Sequence, residues 1–176
     1  MDGPVEWDLL ETPVGKVGLA LRDGSVVRCD TGTDERRFRR ALSDAFRRAR
    51  LQRGGTLIDQ ASSQVQEYLT GTRTSFDIPV APEGGTPFQR SVWAALRTIP
   101  YGQTRSYRWV AAAVGNPRAA RAVGQASGAN PIGIIVPCHR VVRADGSLGG
   151  FSGGVGVKDR LLTLERSNTA TKDQGG

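Results

Sequence analysis

The chain has 176 residues, 38% of them hydrophobic and 23% charged, enough apolar material for one large core or two small ones without disulfide staples. Its formal net charge is +7, and only Lys16, Lys158 and Lys172 depart from arginine among its 24 cations, an excess that points to an anionic partner, with nucleic acid first. No apolar run nears the roughly 20 residues of a membrane helix, the start lacks the signature of a secretory signal, and Cys29, Cys138 and the single His139 suggest neither a disulfide framework nor a four-ligand zinc site.

Residues 5 to 30 read as hairpins. Val5, Trp7 and Leu9 alternate with polar neighbours, Thr12-Pro13-Val14-Gly15 turns the chain, and Val17, Leu19 and Leu21 alternate again. Asp23-Gly24 marks a second turn before Val26 and Val27. Residues 34 to 53 read as a basic amphipathic helix. Phe38, Leu42, Ala45, Phe46 and Ala49 recur at helical spacing, and Arg36, Arg37, Arg39, Arg40, Arg47, Arg48 and Arg50 fill the other face. That face is read as solvated, with a secondary contact to a DNA backbone as the alternative. A short helix is expected over 59–70 and a strand through Phe76, Ile78 and Val80. The Pro/Gly-rich stretch 81–87 is the expected linker between an N-terminal α/β domain, 1–80, and a C-terminal domain, 88–166.

In the second half, Phe88, Val92, Trp93 and Leu96 trace a helical core stripe that stops at Pro100-Tyr101-Gly102. A helix near 106–113, the turn Gly115-Asn116-Pro117 and a helix over 118–129 form a helix-turn-helix pattern. The second of these helices is rich in small residues, including Ala119, Ala120, Ala122, Gly124, Ala126 and Gly128. Small side chains let a backbone approach a partner closely, as a narrow minor groove demands, and Arg118 and Arg121 add cationic reach. Tight core packing would use the same residues. The apolar run 132–136 leads into Pro137-Cys138-His139-Arg140, then a Gly-rich loop over 146–156, a last helix over 157–166 and a tail, 167–176, expected to be disordered.

The Cys138-His139 pair is the sharpest feature. A thiolate is the nucleophilic form of cysteine, and a neighbouring imidazole can take the thiol proton, directly or through water. Adjacent residues of an extended segment face opposite ways, which favours water. A buried structural cysteine beside a satisfied histidine is the plainer reading of the pair taken alone.

The run Ile134-Ile135-Val136-Pro137-Cys138-His139-Arg140-Val141-Val142 resembles the active-site signature of the O6-alkylguanine-DNA alkyltransferases, also called methylated-DNA–protein-cysteine methyltransferases. Ile99-Pro100-Tyr101-Gly102, Thr104-Arg105-Ser106-Tyr107, Ala119-Ala120-Arg121-Ala122-Val123-Gly124, Asn130-Pro131, Leu161-Leu162 and Glu165 extend the likeness over 86–166, and it is looser over 5–80. The resemblance implies an RNase H-like α/β domain followed by a mostly helical, winged-helix-like domain. It implies Cys138 as alkyl acceptor, His139 as water-mediated base and Glu165 as its orienting partner, as in a hydrolase triad. Asn130 would hold the turn before the active-site strand. Tyr107 would sit by the flipped base and donate to the purine ring, and Arg121 would enter the stack where the guanine left. Arg118, Ala120, Gly124 and Ser127 would lie against DNA, and Val141, Phe151 and Ser152 would border the base. The departures are Phe151 where many relatives carry tyrosine, Ser127 where some carry a larger apolar residue, and the absence of N-terminal zinc ligands.

The implied function is stoichiometric, irreversible removal of alkyl groups from O6-alkylguanine in duplex DNA, with O4-alkylthymine left open. No cofactor, metal or membrane is expected. The chain is expected to act as a monomer, cooperative assembly on DNA being open, in the cytoplasm and on nucleoid DNA. Two competitors remain at this point: a lesion binder or helix-turn-helix regulator without chemistry, and a cysteine hydrolase using Cys138, His139 and Glu165.

Overall fold

The computed structural model describes residues 3–173, and the chain divides into two units between Glu83 and Gly84, inside the Pro/Gly stretch. In the first unit β1 (Val5–Thr12), β2 (Gly15–Arg22) and β3 (Ser25–Thr31) form an antiparallel meander, and β4 (Leu51–Arg53) runs parallel to β1, giving the order β3-β2-β1-β4. The helix α1 (Glu35–Ala45) lies on one face of the sheet. Its Phe38 and Leu42, with Phe46, join Val5, Trp7, Ala20 and Val27 in one buried cluster. The approach is close enough that a Cβ on Gly18 would stand 2.5 Å from the Phe38 ring. The helix α2 (Thr56–Leu69) packs against β1 and β2 through a second apolar set that includes Ile58, Val65 and Tyr68.

Two N-terminal expectations are corrected. The basic helix ends at Ala45, capped by Phe46 with a non-helical backbone, and 51–53 is strand. The reason is tertiary: Val5 N–H donates to Arg50 O at 2.9 Å and Gly54 N–H to Trp7 O at 2.9 Å, so the β1 edge takes the chain out of the helix. Residues 76–80 form no strand. Pro79 has no N–H to give a ladder. Only Val26 and Val80 bridge, through Val26 N–H to Pro79 O and Ala81 N–H to Val26 O.

The second unit is mostly helical, so the fold class is the one expected: an RNase H-like α/β unit followed by a helical unit with a helix-turn-helix. The helix α3 (Pro87–Leu96) starts at a capping box, with Thr86 Oγ1 accepting from Gln89 N–H and Gln89 accepting from Thr86 N–H. The pair α4 (Tyr107–Ala113) and α5 (Ala120–Gly128) packs against it, and α5 is tied to α3 by Trp93 Nε1–H donating to Ala126 O at 2.8 Å. A short parallel pair, β5 (Arg105–Ser106) with β6 (Val141–Val142), joins the α4 entry to the segment after Cys138. The last helix, α6 (Val155–Asp173), runs past the expected end at Arg166, so 167–173 is helical and not the disordered tail expected there. Asn168 Nδ2 donates to Tyr101 Oη and Thr169 Oγ1 to Glu165 O, which gives this last part of α6 partners of its own. Residues 174–176 of the expected tail lie outside the described residues.

Candidate active site

The segment carrying Cys138 is held in a tight turn, not the strand expected for it. Asn130 fastens that turn: its Nδ2 donates to Val136 O at 2.9 Å and to Ile132 O at 3.3 Å, and its Oδ1 accepts from Ile132 N–H at 3.0 Å. Within it Ile134 has φ +67°, a left-handed conformation that costs a β-branched residue free energy, and its side chain is fully buried. The chain then enters a 3₁₀ turn, Cys138–Arg140, before β6. A 3₁₀ turn advances about a third of a circle per residue. The opposite-facing geometry inferred from an extended segment therefore does not hold for Cys138 and His139.

Cys138, 6% exposed, lies in the wall of a cleft of about 370 Å³. The other walls come from Tyr107 of α4, Arg121, Gly124 and Ser127 of α5, and Phe151 and Ser152 of the Gly-rich loop. Arg121 is exposed and Ser127 buried. Gly149 has φ +70°, and a Cβ there would stand 2.7 Å from Tyr107 Oη, so only glycine lets the loop lie against that hydroxyl.

Behind the thiol is a buried charged network. Glu165, with no exposed surface, meets His139 Nε2 at 3.0 Å through Oε1. It also accepts from Arg140 Nε at 3.0 Å on both oxygens and from Arg140 Nη2 at 2.7 Å. Gly102 N–H donates to its Oε2 at 3.2 Å, and Arg140 Nη1 donates to Ile99 O at 2.7 Å. Burial opposes ionisation of Glu165, but the hydrogen bonds from His139 and Arg140 outweigh it and hold its pKa down to about 2. Burial also pushes His139 below the usual imidazole value, against the pull of Glu165. An ionised carboxylate can only accept, so the proton of the neutral ring sits on Nε2, and Nδ1 is the basic nitrogen.

The thiol itself is pushed up by burial, opposed by a hydrogen bond from Asn130 and by the charge of Lys158. Lys158 is fully buried in α6, its Nζ donating to Val141 O at 2.6 Å and Gly150 O at 3.2 Å and standing 5.8 Å from the centre of the Tyr107 ring. Burial lowers its pKa to about 8. The Tyr107 phenol is pushed up, by burial first and by Cys138 second, so it keeps its proton and remains a donor at neutral pH.

Of the residues singled out from sequence, the structure brings Tyr107, Arg121, Gly124, Ser127, Cys138, Phe151 and Ser152 to one cleft, with His139 and Glu165 behind it and Asn130 in the turn beneath. Arg118 is exposed and Ala120 half-buried, and neither lines the cleft. Val141 is buried outside it, its carbonyl engaged by Lys158. Arg140 and Lys158 were given no role by sequence reasoning. A signal for Lys158 existed: it is one of three lysines in a chain that otherwise uses arginine. Among the described residues, no three His, Cys, Asp or Glu side chains gather as they would to hold a metal ion.

Residues 87–167 match the family model described as 6-O-methylguanine DNA methyltransferase, DNA binding domain. The chain is 41% identical over 162 residues to the methylated-DNA–protein-cysteine methyltransferase of Methanosarcina barkeri, covering 92% of this chain and 98% of that protein. Among solved structures, the O6-methylguanine methyltransferase of Mycobacterium tuberculosis is similar at 39% identity with a TM-score of 0.79, over 93% of this chain and 94% of that one. The crystal structure of M. tuberculosis OGT in complex with DNA gives the same identity, coverage and TM-score.

Proposed function

The chain belongs to the methylated-DNA–protein-cysteine methyltransferase family, and from that membership we propose that it repairs DNA by moving an alkyl group from O6 of a guanine in duplex DNA onto its own Cys138. The observation that carries this reading is one cysteine in the wall of a cleft shared with the helix-turn-helix, backed by a buried His139–Glu165–Arg140 network. A thiol only 6% exposed cannot reach a base inside a stacked duplex, so the damaged guanine must swing out into the cleft. The small residues of α5 let its backbone approach the minor groove, and Arg121 fills the gap left in the stack.

The chemistry is a displacement at the alkyl carbon. His139 Nδ1 takes the thiol proton, directly or through a water molecule, while Glu165, held by Arg140, steadies the imidazolium that forms. The sulfur lone pair makes the new C–S bond as the C–O6 bond breaks, and that electron pair passes into the purine. The Tyr107 hydroxyl donates to the developing anion. The thiol proton, returned through His139 and solvent, ends on the released guanine. The product is a thioether, which lacks the carbonyl through which water releases the thioester of a cysteine hydrolase, so each molecule reacts once. The reaction needs Cys138 reduced, which suits the cytoplasm.

The test is stoichiometry. Incubated with excess duplex carrying one O6-methylguanine, the protein should repair only its own molar amount. Each spent molecule should gain the mass of one methyl group, on the peptide containing Cys138. Cys138→Ser should abolish transfer and leave binding to undamaged duplex intact, because phosphate contacts supply the affinity. Product continuing well past one equivalent, with Cys138 unmodified, would falsify the suicidal mechanism and favour a hydrolase.

A further inference from the structure

We propose that the arginine face of α1 and of the turn after it is a second surface for the phosphate backbone of duplex DNA, separate from the helix-turn-helix. It rests on the reading of this protein as one that acts on duplex DNA. The segment 34–50 carries seven arginines against Asp34, Glu35 and Asp44, and it lies outside the residues that match the DNA-binding family model. The distribution of ion pairs within the first unit separates this surface from an ordinary solvated helix face.

Elsewhere in that unit, arginines are neutralised one by one. Arg28 pairs with Asp30 at 2.9 Å, Arg22 with Glu83 at 3.0 Å, Arg53 with Glu35 at 3.1 Å and with Asp8 at 3.2 Å, and Arg73 with Glu67 at 2.7 Å and with Asp77 at 3.1 Å. On the α1 side two of the three acids are already spoken for, and the third, Asp44, borders the same hollow as Arg47 and Arg48 without, among the described residues, an ion pair to either. Asp34 accepts the Arg37 N–H as the helix cap, and Glu35 is taken by Arg53, with Arg39 near it at 3.9 Å. Among the described residues Arg36, Arg40, Arg47 and Arg48 have no carboxylate partner, and all four are exposed. Arg36 and Arg40 stand one turn apart and border an open hollow with Arg39, and Arg47 and Arg48 border another beside Phe46.

Like charges left together and unpaired repel one another, a cost that a solvated face avoids by interleaving acids. Guanidinium groups fork onto phosphate oxygens, and a polyphosphate backbone is the anion this protein already meets. A second copy meeting this face through the same face is a poor alternative partner, since unpaired arginines would then stand against unpaired arginines.

The experiment uses the full chain and undamaged duplex DNA, with binding measured against KCl concentration. In R36Q/R40Q/R47Q/R48Q the slope of log K against log salt should flatten by about 3 to 4 units if all four arginines contact phosphate. The charge-preserving R36K/R40K/R47K/R48K should recover most of that slope. Single-turnover reaction with free O6-benzylguanine should be unchanged in both. Should the quadruple variant fail to fold, R36Q/R40Q and R47Q/R48Q taken separately should each flatten the slope by about 2 units. A slope unchanged in the folded variants overturns the proposal. So does an unchanged slope with altered sedimentation of the free protein, which would assign the face to a second copy. Because the probe is undamaged DNA, failure of alkyl transfer to Cys138 would count against the repair reading and leave this result to stand by itself.

Discussion

At the scale of single residues, the site depends on what Glu165 holds. One fully buried carboxylate serves two cationic or potentially cationic partners, the fully buried His139 and the mostly buried Arg140. The buried guanidinium keeps the carboxylate ionised, and the ionised carboxylate fixes the proton of His139 on Nε2. Glu165→Gln therefore leaves Arg140 buried without its counter-charge. Removing one partner of a buried pair costs about 3–5 kcal/mol, and transfer should slow roughly 100-fold or more as the base loses its orientation. The pH dependence has a definite sign. The folded pKa near 2 lies below the usual 4.5, so the stabilisation is complete above about pH 4.5 and is lost as pH falls toward 2. Denaturant unfolding of parent and variant should thus differ by about 3 kcal/mol less at pH 2 than at pH 5. A difference that stays constant across that window would remove the ionised Glu165 from the account.

At the scale of elements, α5 combines two properties that side chains rarely allow together. Trp93 anchors its buried side by donating to Ala126 O, and its other side presents Gly124, Gly128 and the exposed Arg121 along the cleft. A helix this bare has few groups with which to read bases. Its long side chains at the cleft are Arg121 and Gln125, and the role proposed for Arg121 is on the DNA rather than on the alkyl group. Arg121→Ala should accordingly slow repair in duplex DNA much more than reaction with free O6-benzylguanine, since only the duplex requires a base to be extruded. Equal losses on the two substrates, measured as second-order rate constants, would remove Arg121 from base extrusion.

For the whole molecule, the chemistry and the net positive charge both lie in the second unit, which has 12 of the 24 cations but 4 of the 17 acids, and the unpaired arginines of 36–48 stand in a first unit whose charges otherwise nearly cancel. Every residue of the cleft and its supporting network belongs to the second unit, and the unpaired arginines of 36–48 belong to the first. With a net charge of +7 and a recognition helix of alanine and glycine, affinity for duplex DNA should fall steeply with salt and vary little with sequence. Titrations against several undamaged duplexes at two salt concentrations test this. Salt-resistant, tight binding to one sequence would instead describe a regulator.

The sequence by itself determined what local pattern and chemistry can encode. Turn residues placed the hairpins, the Phe88-Val92-Trp93-Leu96 stripe and the Pro100-Tyr101-Gly102 stop marked a helix, and the family resemblance of the Cys138-His139 run and of Glu165 singled out the proposed reacting groups. Where a neighbour's unpaired backbone or buried charge decided the outcome, the local pattern was silent or misleading. The arginine-rich helix looked continuous to residue 53 because its apolar spacing continues, yet the open edge of β1 took Leu51–Arg53 as a strand. The apolar run before Cys138 looked like a strand, and the side-chain amide of Asn130 made it a turn. Arg140 and Lys158 looked like two more cations in a basic chain. Only the fold, by burying both against Glu165, Val141 and Gly150, made them part of the site, because a charge taken out of water must find its partners among whatever the tertiary structure brings to it.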